Sequence, residues 1–410
     1  MSIQTMQWLR RKAAATGAIL LAVSFAAVPA VASADTTMPI SYHAWNSVGD
    51  FYQGQFSGTN VWFDQGHAAL ALHNDATTGT WISNAFTTPT PVSKIVASWQ
   101  ADTPDGTWIE TDLSVKVNGV WSDWFTMGKW TLGDTIQRTT VAGQDNDFGA
   151  VYQDTYFAND NKPASAYRLR EQLFTNKPGV TPQISQAAVT ASQPTTVNLT
   201  ASQTTMHRTV DLSVPMYSQY EHDGEYPQYD SGGEAWCNPT STEMVIEYYG
   251  KKPTAAQIAA LPADPVFDAH NRADGSVDYA VVHTYDYGHG DTGNWPFQTA
   301  YAASFGLKGS VRQADSLRKL ESLVKQGIPT VIATAWNNTD SNPNNDLTGA
   351  SIPKTDGHLM VVRGFTKDGD VIANDPASPD DGSVRHVYQR AQFERDWLSV
   401  SDGTYYLITR

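Results

Sequence analysis

The spacing of hydrophobic and polar residues divides the chain into two parts. Between residues 40 and 200, short runs contain period-two alternation, for example residues 92–99, 107–117 and 167–174, which is typical of strands with one buried face. Asn118-Gly119 follows the second run and predicts a two-residue hairpin turn. Short, closely spaced strands with Gly, Pro, Asn and Asp between them predict an all-β sandwich for residues 40–200.

From residue 210 onwards the pattern changes to helical spacing followed by strands. Helices are predicted at residues 239–249, 254–261, 295–305 and 314–325, and strands at residues 329–335, 358–365, 371–374 and 404–409. Helices first and an antiparallel sheet afterwards predict an α+β domain for residues 210–410. Gly327 is expected to end the fourth helix as a C-cap glycine. Residues 201–209 are predicted to be the linker between the two domains.

The N-terminus has the three parts of a secretory signal peptide. Arg10, Arg11 and Lys12 precede an apolar run, which ends in the small-x-small site Ala32-Ser33-Ala34. We therefore expect residues 1–34 to be removed by cleavage after Ala34 and the protein to be secreted. A membrane anchor is the alternative, but Pro29 interrupts the run, and no later stretch is apolar for long enough to span a bilayer.

The composition limits the partners of the protein. The chain has 27 Lys+Arg against 42 Asp+Glu and a formal net charge of −15. Loss of the signal peptide removes three basic residues and no acidic one, which changes this charge to −18. So acidic a protein is not expected to bind nucleic acid or an anionic membrane surface.

The only cysteine of the chain, Cys237, precedes the first predicted helix, which has an amphipathic pattern. A single cysteine cannot form a disulfide within the chain, so its presence in an exported protein indicates a reactive thiol. At the start of a helix, free backbone N–H groups and the helix dipole favour the thiolate and lower the thiol pKa. The alternative is a buried, inert cysteine.

Three further residues provide the groups that a cysteine nucleophile needs. His358 opens an apolar strand and is the candidate base, and Asp375 ends the next strand and is the candidate acid that orients it. Residues 367–369 predict a turn between these strands, so the hairpin brings both side chains within reach of each other. Gln219, 18 residues before Cys237, is the candidate donor to an oxyanion.

Four sequence blocks around these residues resemble a known family. Residues 214–219, 236–241, 356–365 and 373–377 are similar to the blocks of the bacteriocin-processing (double-glycine leader) cysteine peptidases, and more closely to their exported, stand-alone relatives. The resemblance implies a papain-like fold for residues 210–410. It also implies a triad of Cys237, His358 and Asp375, with Gln219 in the oxyanion hole and no cofactor. The first domain resembles domains that precede such peptidases in actinobacterial exported proteins. Because this chain carries no transporter segment, processing of leader peptides is not implied.

Two features leave alternatives open. Residues 264–291 include His270, His283 and His289, but they lack a tight metal-ligand spacing, so we expect a loop that shapes substrate binding and no metal site. Eight of the 13 tryptophans lie between Trp45 and Trp130. Their rings are either core residues or platforms for sugars of a cell-wall polysaccharide.

The function predicted from the sequence is therefore a secreted cysteine peptidase that acts on a peptide or protein substrate. One alternative is an amidase or endopeptidase of peptidoglycan, since the same triad serves both reactions. The other is a non-catalytic surface-binding protein that uses the tryptophan-rich domain.

Overall fold

A computed structural model of the protein describes residues 38–64, 67–160, 162–194, 200–270 and 274–410. The expected signal peptide, residues 1–34, lies outside the described residues. Below, residues 38–194 are called the N-terminal half and residues 200–410 the C-terminal half.

The N-terminal half consists of strands apart from one short helix, α1 (Val48–Tyr52), which Ser47 caps by accepting from the Asp50 N–H. The strands are β1 (Ile40–Trp45), β2 (Gln55–Ser57), β3 (Thr59–Asp64), β4 (His67–Leu72), β5 (Thr78–Ile82), β6 (Phe86–Val92), β7 (Lys94–Asp102), β8 (Thr107–Val117), β9 (Val120–Trp121), β10 (Phe125–Trp130), β11 (Asp145–Asn146), β12 (Gly149–Tyr152), β13 (Thr155–Ala158), β14 (Ala164–Thr175) and β15 (Gln183–Ser192).

These strands form two antiparallel sheets that face each other. One has the order β11-β12-β13-β7-β15-β4-β3, with β1 beside β15, and the other has the order β10-β8-β14-β5-β2, with β6 beside β14 and β9 beside β8. Trp45 of the first sheet contacts Trp81 and Tyr167 of the second, with ring centroids 6.1 and 6.4 Å apart. Edge-to-face contacts of this kind fill the space between the sheets with aromatic side chains.

Most of the tryptophan rings of this half are buried in the core or covered by another side chain. Trp45, Trp81, Trp99 and Trp130 are buried, so half of the eight are core residues. The Arg168 guanidinium lies 4.6 Å from the ring centroid of Trp121 and 4.8 Å from that of Trp124. The cation therefore covers a face of each ring on which a sugar would stack.

The C-terminal half combines helices with a third antiparallel sheet. Its helices are α2 (Cys237–Tyr248), α3 (Ala255–Ala259), α4 (Pro265–Ala269), α5 (Gly275–Thr284), α6 (Trp295–Ser304), α7 (Leu317–Lys325) and α8 (Arg390–Ser401). Its strands are β16 (Val210–Asp211), β17 (Lys308–Gln313), β18 (Thr330–Asn337), β19 (Lys354–Phe365), β20 (Val371–Asn374), β21 (Arg385–Tyr388) and β22 (Thr404–Thr409). The sheet order is β17-β22-β18-β19-β20-β21, with β16 beside β19.

Helix α2 differs from the amphipathic helix that its sequence predicts. Its residues 238–246 are all buried, because β19, α5 and α6 surround it. The polar side chains on the expected outer face are therefore enclosed as well. Glu243, for example, is fully buried and accepts from the Tyr301 hydroxyl at 3.2 Å.

The hairpin of β19 and β20 forms as predicted but with a shifted register. Val361 and Val362 pair with Asn374 and Ala373, and the register then changes before Gly364, which pairs with Ile372. The extra residue on β19 is a β-bulge. With this register, His358 lies two residues beyond the position on β19 that would face Asp375, so the two side chains meet diagonally across the strands.

The two halves share a continuous core. Helix α6 and strand β17 pack on β7, and Phe297 of α6 contacts the rings of Trp99 and Trp130 at centroid distances of 6.1 and 5.3 Å. The Thr190 hydroxyl also donates to the Val311 carbonyl at 2.7 Å. These contacts fix the N-terminal half against the C-terminal half.

Residues of the expected linker are bound to the C-terminal half. The Ser202 and Thr205 N–H groups donate to the carboxylates of Glu394 and Glu321, at 2.7 and 2.8 Å. Much of the stretch 201–209 is therefore held along α7 and α8 instead of spanning open solvent. Within the described ranges, none of the helices has the length and apolar composition that crossing a membrane requires.

Candidate active site

Cys237 is the first residue of α2 and is partly exposed. Burial raises the pKa of its thiol, but the charge of His358, a hydrogen bond with His358 and one with the Leu359 backbone lower it, and the pKa lies below its ordinary value. The positive end of the helix dipole acts in the same direction. These effects stabilise the thiolate form of a side chain that solvent can still reach.

His358 lies on β19, opposite Thr334 of β18, and is 3% exposed. Its Nε2 is 2.7 Å from Asp375 Oδ1, so the hydrogen bond with Cys237 falls to Nδ1. Burial lowers the pKa of this imidazole, but the charges of Asp375 and Cys237 and hydrogen bonds to both raise it above its usual value. The Trp336 ring lies nearly perpendicular to the imidazole, with the ring centroids 5.3 Å apart, and contributes to its burial.

Asp375 follows β20 and is fully buried. Besides His358, its Oδ1 accepts from the Ala377 N–H at 3.0 Å, and its Oδ2 accepts from the Tyr388 hydroxyl at 2.8 Å. Burial raises the pKa of this carboxyl, but His358 and the hydrogen bond from Tyr388 lower it, and the net shift is downward. Asp375 is therefore ionised and held in one orientation.

Gln219 begins a 3₁₀ turn and is also buried. Its backbone N–H donates to the Pro376 carbonyl at 2.9 Å, which ties it to the residue after Asp375. Its Nε2 donates to the Glu234 carbonyl at 2.6 Å, three residues before Cys237. The structure therefore brings Gln219 between the segments of Asp375 and Cys237, and the second amide hydrogen of its Nε2 remains for another acceptor.

Sequence reasoning missed three residues that hold this arrangement. Tyr388 was not singled out, although its place on β21, which pairs with β20, is what brings its hydroxyl to Asp375. Trp336 lies on β18 beside His358. Asn238, which follows Cys237, accepts from the Tyr406 hydroxyl at 2.8 Å and donates to the Thr292 carbonyl at 3.1 Å. Each of these contacts joins residues of different helices, strands or loops, so the pattern within a single stretch of sequence does not predict them.

The histidines of residues 264–291 have separate partners. His270 Nδ1 is 2.8 Å from Glu225 Oε1, His283 Nδ1 is 2.7 Å from the Tyr279 carbonyl and His289 Nδ1 is 2.7 Å from Asp291 Oδ2. They do not share a ligand set in the described part of the chain.

Another histidine, His222, lies in a buried carboxylate cluster. Its Nδ1 is 3.0 Å from Glu225 Oε2 and 3.1 Å from Asp278 Oδ2. Burial lowers the pKa of His222, but hydrogen bonds and charges of Asp274 and Asp278 raise it to about 9. The surrounding carboxylates stabilise the protonated imidazole, and His222, Glu225 and Asp278 also place one potential ligand atom each within 4.8 Å of one another.

Comparison with known families identifies both halves of the chain. The Peptidase C39 N-terminal domain matches residues 41–192, and the Peptidase C39-like family matches residues 211–405. No curated protein sequence matches the chain.

Solved structures give weaker similarities. A C39-like peptidase from Bacillus anthracis is 18% identical, over 50% of this chain and 98% of its own, with a TM-score of 0.30. A family 29 carbohydrate-binding module from Piromyces equi is 10% identical, over 38% of this chain and 92% of its own, with a TM-score of 0.20. These TM-scores are too low to establish a shared fold, so the two family matches carry the identification: the chain is a relative of the C39 peptidases, built from that family's N-terminal domain and a C39-like domain.

Proposed function

We propose that the protein is a secreted cysteine peptidase with a papain-like C-terminal domain, which hydrolyses peptide bonds through Cys237, His358 and Asp375. One observation carries the proposal: His358 bonds Asp375 through Nε2 at 2.7 Å and at the same time lowers the pKa of the only thiol in the chain. A base that is oriented by a carboxylate and paired with a thiol is the arrangement that nucleophilic catalysis requires.

The reaction follows from these positions. The Cys237 thiolate attacks the peptide carbonyl carbon, and the C–N bond then breaks as His358 gives its proton to the leaving amine. Water attacks the thioester that remains and gives one proton to His358, and the C–S bond breaks to restore the Cys237 thiolate. The carboxylic acid product leaves and loses its own proton to solvent. Asp375 holds the imidazole throughout. The Cys237 N–H and the second amide hydrogen of Gln219 are the proposed donors to the oxyanion.

The proposal includes the organisation of the chain. Residues 40–200 form an accessory β-sandwich, residues 201–209 connect it to the peptidase domain, and residues 210–410 form that domain. The alternative of an amidase or endopeptidase of peptidoglycan uses the same chemistry and differs in substrate. Binding of cell-wall polysaccharide by the sandwich has less support, because Arg168 covers the rings of Trp121 and Trp124.

Secretion is part of the proposal and has its own test. Because the small-x-small site ends at Ala34, the exported protein is expected to begin at Asp35. N-terminal sequencing of protein collected from the culture medium checks this. An exported protein that still begins at Met1 would show that residues 1–34 are not a cleaved signal peptide.

The pH dependence of Cys237 alkylation tests the thiol–imidazole pair. In the wild type, iodoacetamide should react with a midpoint below the ordinary thiol pKa of about 8.5, because His358 lowers the thiol pKa. In His358→Ala the largest effects that oppose the burial of the thiol are removed, so the midpoint should move above that of the wild type. The rate of alkylation is followed from pH 4 to 10.

His283→Ala is a suitable control for this experiment, because His283 bonds the Tyr279 carbonyl and does not contact the triad. It should leave the alkylation profile unchanged. If His358→Ala also reacts like the wild type, the thiol is not paired with this imidazole and the proposed function is wrong.

A further inference from the structure

A buried carboxylate, Asp286, joins the two halves of the protein next to the candidate site. It accepts from the Thr140 N–H at 2.9 Å and from the Thr140 hydroxyl at 2.7 Å. On its own side it accepts from the N–H of Gly288 at 3.0 Å and from Asn294 Nδ2 at 3.1 Å. Hydrogen bonds to a charged acceptor are among the stronger ones in proteins, so Asp286 binds the loop of residues 286–294 firmly to the N-terminal half.

The loop itself is closed by its own backbone. The Asp286 N–H donates to the Asp291 carbonyl at 2.8 Å, and the Gly290 N–H donates to the Asp286 carbonyl at 2.7 Å. At its end, Asn294 Oδ1 accepts from the Phe297 N–H at 2.9 Å and so caps α6. Because these hydrogen bonds hold the loop in one shape, a displacement of Asp286 would also move the other residues of the loop, including Thr292.

The other end of the loop holds the residues on both sides of Cys237. The Thr292 carbonyl accepts from Asn238 Nδ2 at 3.1 Å. The Thr292 hydroxyl lies 3.1 Å from Asp230 Oδ2 and 3.4 Å from the Ala235 carbonyl, so its one hydrogen is shared between these two acceptors. The Thr292 N–H donates to Asp230 Oδ2 at 3.1 Å. Thr292 thus holds Asn238, the residue after Cys237, and contacts Ala235, two residues before it.

The N-terminal half also approaches this loop too closely for any side chain at residue 288. A Cβ on Gly288 would lie 2.1 Å from the Thr140 carbonyl oxygen, far inside van der Waals contact. The contact is therefore direct backbone packing, and its position depends on Thr140 as well as on Asp286.

From these contacts we infer that Thr140 and Asp286 are positioning residues, through which the N-terminal half sets the position of Cys237. The inference rests on the proposed function of Cys237 as a nucleophile. Reacting atoms must meet within a few tenths of an ångström, and a misplacement of about 1 Å costs on the order of 10²-fold in rate. The activity of Cys237 therefore depends on the N-terminal half as well as on the C-terminal half.

Three threonine variants test the inference. Thr140→Val removes the hydroxyl that bonds Asp286, Thr140→Ser keeps it, and Thr190→Val removes a second buried hydroxyl that joins the halves at Val311, away from the loop. Thr140→Val should lower both the alkylation rate of Cys237 and kcat by about tenfold, with little change in KM. Thr140→Ser and Thr190→Val should keep the wild-type values, with denaturant unfolding measured for all three.

The inference is overturned if Thr140→Val and Thr190→Val behave alike in alkylation and in kcat. If Thr140→Val fails to fold, Gly288→Ala disturbs the same contact by inserting a methyl group, and wild-type alkylation in that variant would also overturn the inference. Alkylation needs no substrate, so the two proposals can fail separately. A protein that hydrolyses no peptide but loses thiol reactivity in Thr140→Val would refute the peptidase function and retain the positioning role.

Discussion

Replacing Cys237 with alanine is expected to lower peptide hydrolysis by about 10⁴-fold or more, because the attacking atom is removed and no other thiol exists in the chain. The side chain is small and partly exposed, so the free energy of unfolding should change little. Initial rates on an unstructured protein substrate measure the effect. Titration with iodoacetamide should show one reactive thiol per wild-type chain and none in the variant.

Thr242→Val provides a matched control on the same helix. Thr242 is buried, and its hydroxyl has no hydrogen-bond partner among the described residues, so its exchange for a methyl group of similar size should be nearly neutral. This variant should retain wild-type hydrolysis. Substantial hydrolysis by Cys237→Ala, above about a tenth of the wild-type rate, would mean that the thiol is not the nucleophile.

Asp375→Ala is expected to have the next largest effect, a loss of about 10²- to 10³-fold in kcat/KM. The carboxylate holds His358 Nε2 at 2.7 Å and contributes to the raised pKa of the imidazole, so its removal leaves the ring without this orientation and lowers its pKa. Asp375→Asn keeps an acceptor oxygen and removes only the charge. Its loss should be smaller, and the alkaline limb of its kcat/KM profile should move to lower pH, because the pKa of His358 is then raised less.

Tyr388→Phe tests the hydrogen bond that holds Asp375 in place, while Asp375 itself stays able to bond His358. It removes the hydroxyl that donates to Asp375 Oδ2 at 2.8 Å, and a loss of about tenfold in kcat/KM is expected. Tyr156→Phe is its control, since the Tyr156 hydroxyl bonds the Phe148 carbonyl in the N-terminal half. Asp375→Ala with wild-type kcat/KM would contradict the assignment of Asp375 as the residue that orients His358.

Features that depend on neighbouring residues could be predicted from the sequence. Asn118 and Gly119 both have positive φ, 50° and 85°, as a hairpin turn of this type requires. Gly327, at φ 80°, ends α7, and the Ile328 N–H donates back to the Leu323 carbonyl at 3.0 Å. The four candidate site residues are brought together by one network of contacts, although their chemical roles stay predictions.

Features that depend on tertiary contacts could not be predicted in this way. Helix α2 is buried on all sides because β19, α5 and α6 pack around it. The sequence of α2 alone does not show how many elements will pack against it. The bulge in β19 shifts the pairing with β20 by one residue, which the turn signal alone does not predict. Thr140 and Asp286 lie 146 residues apart, and neither belongs to a recognisable motif.

The continuous core between the halves bears on how such a protein can evolve. A recombination that exchanged residues 38–194 for another β domain would leave Phe297, the partner of Trp99 and Trp130, against a surface of the wrong shape. It would also leave the Asp286 carboxylate without two of its donors. The two halves are therefore expected to be inherited as one unit.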